Sequence, residues 1–237
     1  MSSSDLKYST LSELNTNVIS CDKCSRLRRY CERIARTKRR QFREWEYWGK
    51  PIPGFGDPKA RLLILGLAPA AHGGNRTGRM FTGDGSAQFL IPVLYKFGFA
   101  NQATSVAVND GLVLKGAYMT AIVRCAPPKN KPTLREIETC QEYWTLEVQL
   151  LTNIAVVLAL GRVAFDTYVR HLRSQGLHAK LVFKHGAFFK LPNPYPALCA
   201  SYHPSRQNTQ TGRLTARMFD NVFKKVSEFL TETSNIL

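Results

Sequence analysis

The stretch LLILGLAPAAHGGNRTGRMFTGD, residues 62–84, indicates the fold class of this 237-residue chain. Its four leading aliphatic residues, Leu62–Leu65, are typical of a strand buried on both faces of a parallel sheet. A long loop with five glycines follows, and a helix is predicted after it near Ser86–Phe97. A strand, a loop at its carboxyl end and a returning helix form the first unit of an α/β fold.

The same alternation continues along the rest of the chain. Thr133 and Glu136 have the spacing of a capping box, which marks the start of one of the later helices. Further strands are predicted at Tyr118–Val123, Ile154–Ala159 and Ala197–Tyr202, and further helices at Thr133–Leu151, Arg162–Ser174 and 213–231. The sequence therefore predicts one domain over residues 1–237, a three-layer α/β/α sandwich around a mostly parallel four-stranded sheet.

The chain is strongly basic, with 33 Lys and Arg against 17 Asp and Glu and a net charge of +16. Such a charge favours a polyanionic partner, above all a nucleic acid. Basic residues are dense in 25–47, within a basic helical N-terminal region spanning 1–50. A solvated helix with one apolar stripe and a helix lying along DNA phosphates are both compatible with this pattern, and we expect a mixture.

Membrane attachment is not expected. The longest apolar run, Ile154–Gly161, is too short to span a bilayer, and the first twenty residues lack the apolar core of a signal peptide. We therefore expect a protein that stays inside the cell, where its six cysteines would be metal ligands or reduced thiols rather than disulfides.

Four cysteines form two pairs that suit a metal centre. Cys21 and Cys24 make a C-x2-C motif, and Cys125 and Cys140 are separated by fourteen residues. Four thiolates can hold Zn²⁺ or a [4Fe–4S] cluster. The second spacing is not that of a zinc ribbon, so the residues alone leave the metal open. Cys31, which lies seven residues after Cys24 in the basic segment predicted to be helical, is an alternative ligand.

Ligands of open α/β sheets bind beyond the carboxyl ends of the strands, where the glycine-rich loop is expected to lie. That loop has neither a P-loop pattern nor a dinucleotide fingerprint, and it suits a planar base with its sugar. Asp84 is either an acid that acts on water or on a cationic sugar, or the N-cap of the next helix. His203 either donates a hydrogen bond to a leaving group or bonds the loop backbone, and His72 is a second histidine able to line the site.

Three stretches carry a resemblance to a known family: GLAPAAHGGNRTGRMFTGD at 66–84, VRCAPPKNKPT at 123–133 and SYHPSRQNTQTGR at 201–213. In this order they strongly resemble the three motif regions of the family-5, or type b, uracil-DNA glycosylases. The resemblance runs from about residue 21 to the C-terminal helix. Family 4 shares the cysteine arrangement but typically has Glu and Asn where this chain has Leu67 and Ala121, which favours family 5.

The resemblance implies a role for each matching residue. Phe81 would stack on a flipped-out base, Asp84 would act on the water or the oxocarbenium ion, and His203 would stabilise the departing base. Asn130 would give polar support to the sugar or the water, and Ser205–Thr211 would probe the duplex. A [4Fe–4S] cluster with a structural role would be bound by Cys21, Cys24, Cys125 and Cys140.

The resemblance also implies two contact sets. Residues expected to bind the substrate are Gly66, Leu67, Ala68, Pro69, Ala70, His72, Phe81 and Ala121. Residues expected to contact DNA are Arg79, Ser205, Arg206, Gln207 and Asn208. One departure is Met80, where the family would have proline before the stacking Phe81.

The function implied is that of a monofunctional DNA repair hydrolase that removes uracil from DNA and leaves an abasic site. Because alanine at position 121 cannot read the uracil edge as an amide would, we expect a wider range that includes hypoxanthine. A monomer in a prokaryotic cell is expected. The alternatives are a strictly uracil-directed glycosylase like family 4, and a non-catalytic nucleic-acid-binding module with a zinc or iron–sulfur site.

Overall fold

The computed structural model describes residues 7–234 and contains a six-stranded sheet. In chain order the strands are β1 (Phe55–Gly56), β2 (Leu62–Gly66), β3 (Ala117–Ala121), β4 (Val156–Leu160), β5 (Phe188–Phe189) and β6 (Ala197–Ser201). In space the order is β1-β3-β2-β4-β6-β5.

The prediction of an α/β sandwich with a mostly parallel sheet is confirmed. The four inner strands β3, β2, β4 and β6 are parallel to their neighbours and correspond to the four predicted strands. The predicted number of strands was too low, because β1 and β5 pair antiparallel at the two edges. Each has only two residues, too few to give a period-two pattern in the sequence.

The helices are α1 (Leu11–Ile19), α2 (Ser25–Thr37), α3 (Gly74–Thr77), α4 (Gly85–Lys96), α5 (Leu134–Leu150), α6 (Arg162–Ser174), α7 (Arg206–Gln210) and α8 (Ala216–Ser234). The capping box before α5 is confirmed: the side chain of Thr133 accepts from the Glu136 amide, and Glu136 Oε2 accepts from the Thr133 amide at 2.8 Å. Within residues 7–234, no helix is long and apolar enough to cross a membrane.

Two apolar layers enclose the sheet, as the pleat of β2 shows. Leu63 and Leu65 belong to a cluster with Trp144 of α5 and residues of α1 and α6, whereas Leu62 and Ile64 belong to one with residues of α4 and α8. Successive side chains of a strand point to opposite faces, so one aliphatic run supplies both layers. This arrangement places the carboxyl ends of the parallel strands along a single edge.

The N-terminal region is less helical than predicted. Residues 25–47 do not form one basic helix: α2 ends at Thr37, Lys38 has a left-handed φ of 48°, and a 3-10 turn covers Arg40–Phe42. A non-glycine residue with a positive φ leaves the helical conformation and so interrupts the helical hydrogen-bond pattern. The chain thereby turns, so that Phe42 and Trp45 reach the first motif loop. Residues 1–6 of the predicted N-terminal region lie outside the described residues.

Candidate active site

A cavity of about 270 Å³ lies at the carboxyl ends of β2, β3 and β6. The last residues of β2 and β3, Gly66 and Ala121, are paired in register and belong to its lining. The structure thus brings together residues from all three motif loops. The lining consists of Gly66, Leu67, Ala68, Pro69, Ala70, Met80, Phe81, Asp84, Ser86, Ala121, Asn130, His203, Ser205 and Gln207.

Two aromatic rings belong to this lining. The ring centroids of Phe81 and His203 are 6.3 Å apart with an angle of 30° between the planes. Phe81 adopts a φ of 46°, a strained conformation for an aromatic residue and a common feature of functional sites. Its Cζ would lie 3.0 Å from a Cβ at Gly66, so a side chain at the end of β2 would press on the ring of Phe81.

Asp84 is held by the start of α4. Its Oδ1 accepts hydrogen bonds from the amides of Ser86 and Ala87, both at 2.9 Å, which makes it the N-cap. Burial raises the pKa of Asp84, whereas the two amide bonds and the charges of Arg206 and Arg76 act in the opposite direction. The cap uses Oδ1 alone and leaves Oδ2 uncommitted to it. The same carboxylate can therefore cap α4 and act as an acid that faces the cavity.

His203 is a neutral imidazole at neutral pH. Burial lowers the pKa of His203 to about 4, because the charged form loses its hydration. In the part of the chain that the structure describes, the imidazole has no hydrogen-bond partner, and the loop is supported instead by Asn208 Nδ2, which donates to the His203 carbonyl at 2.8 Å. The imidazole is therefore available to a ligand, while Asn208 supports the loop and is not among the cavity residues.

Asn130 and His72 lie at the margins of the site. Asn130 is exposed, has a left-handed φ of 57°, and lines the mouth of the cavity. His72 does not line the cavity; its Nδ1 is 3.0 Å from the hydroxyl of Tyr47, and burial lowers the pKa of His72. We therefore place His72 outside the substrate cavity, in the groove next to it.

That groove, of about 1020 Å³, adjoins the cavity and shares Asp84, Asn130 and Ser205 with it. Three exposed cations line it: Arg39 from the N-terminal region, Lys129 from the second motif loop and Arg206 from α7. The aliphatic part of Arg206 packs on Gly85, where any side chain would overlap with it. The groove therefore offers a positively charged path to the mouth of the cavity.

The side chain of Arg79, which was expected to contact DNA, is only 3% exposed and bonds within the protein. Its Nη2 lies 2.8 Å from both carboxylate oxygens of Asp110, its Nε bonds Thr82 at 2.9 Å, and its Nη1 bonds the Val108 carbonyl at 3.2 Å. Asp110 also accepts from the Val106 amide at 2.7 Å. Arg79 therefore fastens the loop after α4 to the first motif loop.

The four cysteines of the two pairs converge beside α2 and α5. Electrostatic contact with Cys21 and Cys125 adds to the burial that raises the pKa of Cys24 to about 11, and Cys140 is in such contact with Cys125 and Cys24. Cys31 is buried, and its Sγ lies 3.5 Å from the Ala126 carbonyl. Among residues 7–234, no group of three or more His, Cys, Asp or Glu is arranged to hold a single metal ion.

Sequence reasoning missed two groups near the site. Ser86 lines the cavity, although its only signal was its place after Asp84. Arg76 is enclosed by Phe42 and Trp45, and no local pattern pairs those residues because they come from different segments. Their association depends on the turn that follows α2.

An acid and a neutral imidazole in a cavity of this size, at the edge of a parallel sheet beside a basic groove, define an enzyme acting on a nucleic-acid base. Residues 53–227 match the family model described as the uracil DNA glycosylase superfamily. The chain is 50% identical over 201 residues to a Type-5 uracil-DNA glycosylase of Thermus thermophilus, covering 84% of this chain and 89% of the relative.

Two further relatives come from Pyrobaculum aerophilum. Its Type-5 uracil-DNA glycosylase is 40% identical over 210 residues, 89% of each chain, whereas its Type-4 uracil-DNA glycosylase is 27% identical over 163 residues, 68% of this chain and 74% of the relative. The chain therefore belongs to the uracil-DNA glycosylase superfamily and, within it, to the type-5 uracil-DNA glycosylases.

Proposed function

We propose that this protein hydrolyses the N-glycosyl bond of uracil in DNA and leaves an abasic site. The observation that carries the proposal is the placement of Asp84 and His203 in one base-sized cavity, on loops that follow different strands. Breaking the bond between C1′ and the base creates positive charge on the sugar and negative charge on the base. Asp84 would stabilise the sugar and orient the water, and His203 would donate a hydrogen bond to the departing base.

The neutral state of His203 suits this division of work. A neutral imidazole donates through one N–H without bringing a full positive charge next to the cationic sugar. Phe81 would stack on the base once the nucleotide is flipped out, and Asn130 at the mouth would bond the sugar or the water. Within residues 7–234 no lysine lines the cavity, and we propose simple hydrolysis without a covalent imine step.

The proposed substrate range extends beyond uracil to other deaminated bases such as hypoxanthine. Ala121 is 2% exposed and contributes only a methyl group to the lining. A pocket that makes no paired hydrogen bonds to the base edge at this position discriminates weakly against a larger base.

DNA would lie along the basic groove, with Ser205, Arg206 and Gln207 next to the mouth of the cavity. Binding through Arg39, Lys129 and Arg206 would neutralise phosphates and release counterions. We propose that a single chain acts as a monomer inside a prokaryotic cell, where its DNA substrate lies.

We also propose that Cys21, Cys24, Cys125 and Cys140 hold a [4Fe–4S] cluster. Their fit is supported by the electrostatic contacts that bring the four thiols together, and four thiolates are a ligand set that a [4Fe–4S] cluster accepts. The cluster would cross-link the N-terminal region to α5 and to the loop after β3. Anaerobically purified protein should absorb broadly near ~400 nm. A colourless protein with one bound Zn²⁺ would contradict this assignment.

The direct test of activity is single-turnover incubation with duplexes that contain uracil or hypoxanthine, followed by alkaline cleavage at abasic sites. We expect strand breaks at both bases, faster at uracil. A matched duplex with thymine controls for nonspecific breakage. Binding that weakens with salt but produces no abasic sites would support the non-catalytic module instead.

A further inference from the structure

We propose that Arg76 is a positioning residue for Asp84, and that Phe42 and Trp45 of the N-terminal region fix Arg76 in this role. The inference rests on the proposed function, because it concerns the acid of that reaction. It assigns the aromatic residues of the N-terminal region to the active site, although none of them lies in the three motif loops.

Arg76 lies against two aromatic rings. Its guanidinium carbon lies 4.0 Å from the ring centroid of Phe42 and 4.0 Å from that of Trp45. The two rings meet edge to face, with 78° between their planes, so they form a corner against the guanidinium. The side chain is 3% exposed, and contact with two aromatic rings is a favourable cation–π arrangement.

The edge of the guanidinium links the two segments that meet at Asp84. Arg76 Nε donates to the His72 carbonyl at 2.9 Å, and Nη2 donates to the Gly83 carbonyl at 2.9 Å. His72 precedes Gly73, whose backbone lies against the Asp84 carboxylate, and Gly83 directly precedes Asp84. The side chain of Arg76 thus holds the segment of His72 and Gly73, which contacts the Asp84 carboxylate, at a fixed distance from the segment of Gly83, which carries Asp84.

The charge of Arg76 acts on the same carboxylate. A buried guanidinium loses its hydration, which lowers the pKa of Arg76, and electrostatic contact with Tyr47 and with the Asp84 carboxylate opposes this effect. Its Nη1 is buried without a hydrogen-bond partner among residues 7–234. Such a costly arrangement is expected at a functional site more than at a structural one.

The groups around Asp84 allow the effect of Arg76 to be isolated. Two cations act on its carboxylate, Arg206 from α7 and Arg76 from α3. His203 shares the cavity and is neutral at neutral pH. The adjoining groove adds His72, Arg39 and Lys129 as further titratable or charged lining residues. Of the two cations, Arg206 has the larger effect on the pKa of Asp84 but is exposed, whereas Arg76 is buried, so salt should screen the effect of Arg76 less.

The test is the pH dependence of single-turnover uracil excision by Arg76→Met and Arg76→Lys. Loss of the charge should favour protonated Asp84, so the acidic limb of the Arg76→Met profile should move to higher pH. Arg76→Lys keeps the charge but loses the guanidinium that bonds the His72 and Gly83 carbonyls together. It should therefore be slower at every pH, with its acidic limb where the wild-type limb lies. Trp45→Leu should give a smaller upward move of the limb.

Two measurements keep the outcome clear. The ¹³C titration of the Asp84 carboxyl should move in Arg76→Met while the titration of the His203 ring does not, and this holds whether or not uracil is excised. Arg162→Met, which removes an exposed arginine 5.5 Å from the ring of Phe183, is the control and should change neither. A uniform loss of rate at every pH in Arg76→Met, with an unmoved Asp84 titration, would overturn the inference. A wild type that excises no uracil would instead contradict the proposed function.

Discussion

The backbone of Gly73 lies directly against the carboxylate of Asp84. A Cβ at position 73 would overlap with Oδ2, the oxygen that the helix cap does not use. Gly73 has a φ of −105°, so glycine is required here for space and not for a left-handed conformation. The contact holds the free carboxylate oxygen in one place.

Gly73→Ala should therefore displace Asp84, at a cost of about 1–3 kcal/mol for the overlap. We expect excision to fall by about 10²-fold, the scale associated with misplacing a reacting group by about 1 Å. The comparison is with Gly98→Ala, where the added methyl group meets open space although φ is 77°. Gly98→Ala should lower the unfolding free energy while leaving the rate unchanged. Equal rates for both variants would show that Oδ2 needs no support from residue 73.

Replacement of Asp84 separates its cap from its chemistry. Asp84→Asn retains an oxygen for the amides of Ser86 and Ala87 but removes the charge, whereas Asp84→Ala removes both. Both should slow excision by about 10²–10⁴-fold. Only Asp84→Ala should also lose about 1 kcal/mol of unfolding free energy, measured in urea. Near-normal excision by Asp84→Asn would show that Asp84 serves only as a helix cap.

Burial of His203 should make stability depend on pH. In the folded protein its pKa is about 4, against an ordinary value of 6.5. As the pH falls below 6.5, the unfolded chain binds a proton at His203 that the folded chain does not bind until about pH 4, so stability should decrease across this window. Urea midpoints should show a weaker decrease for His203→Asn. His178→Asn, at an exposed position, should follow the wild type.

The two arginines first assigned to DNA should respond differently to substitution. Arg79→Met breaks a buried ion pair and leaves Asp110 without it, so we expect a loss of about 3 kcal/mol of unfolding free energy with an unchanged salt dependence of DNA binding. Arg206→Met should reduce the salt slope by about one and change stability by less than about 0.5 kcal/mol. Titrations at several salt concentrations, together with urea unfolding, measure both quantities. The reverse pattern would return Arg79 to the DNA interface.

Ala121→Asn tests the proposed substrate range. An amide at this lining position could bond the edge of uracil and would occupy space needed by a purine. The ratio of hypoxanthine to uracil excision should fall by about 10-fold or more in single-turnover assays. An unchanged ratio would mean that another part of the cavity determines which bases are accepted.

Local patterns predicted the features that depend on neighbours in sequence. Leu62–Leu65 revealed an inner strand, and Thr133 with Glu136 revealed the start of α5, because aliphatic runs and capping boxes are short-range signals. The two-residue edge strands gave no period and were missed.

The motif loops were placed together correctly because the carboxyl ends of parallel strands share one edge. The partners of Arg79 and Arg76 could not be predicted in this way. Asp110 and Trp45 lie in other segments, and only the three-dimensional path of the chain brings them to these arginines. Sequence alone therefore predicts a DNA contact for a basic residue in a motif loop, and only the structure shows whether its side chain is exposed.

The convergence of the four cysteines also imposes an order on synthesis of the chain. Cys21 and Cys24 emerge from the ribosome long before Cys140, so the N-terminal segment must wait for β3 and α5 before it can dock. Phe42 and Trp45 belong to that waiting segment. The loop that carries Asp84 therefore gains its aromatic support late, and in a nascent chain halted before Cys140 the thiols of Cys21, Cys24 and Cys125 would lack their fourth partner.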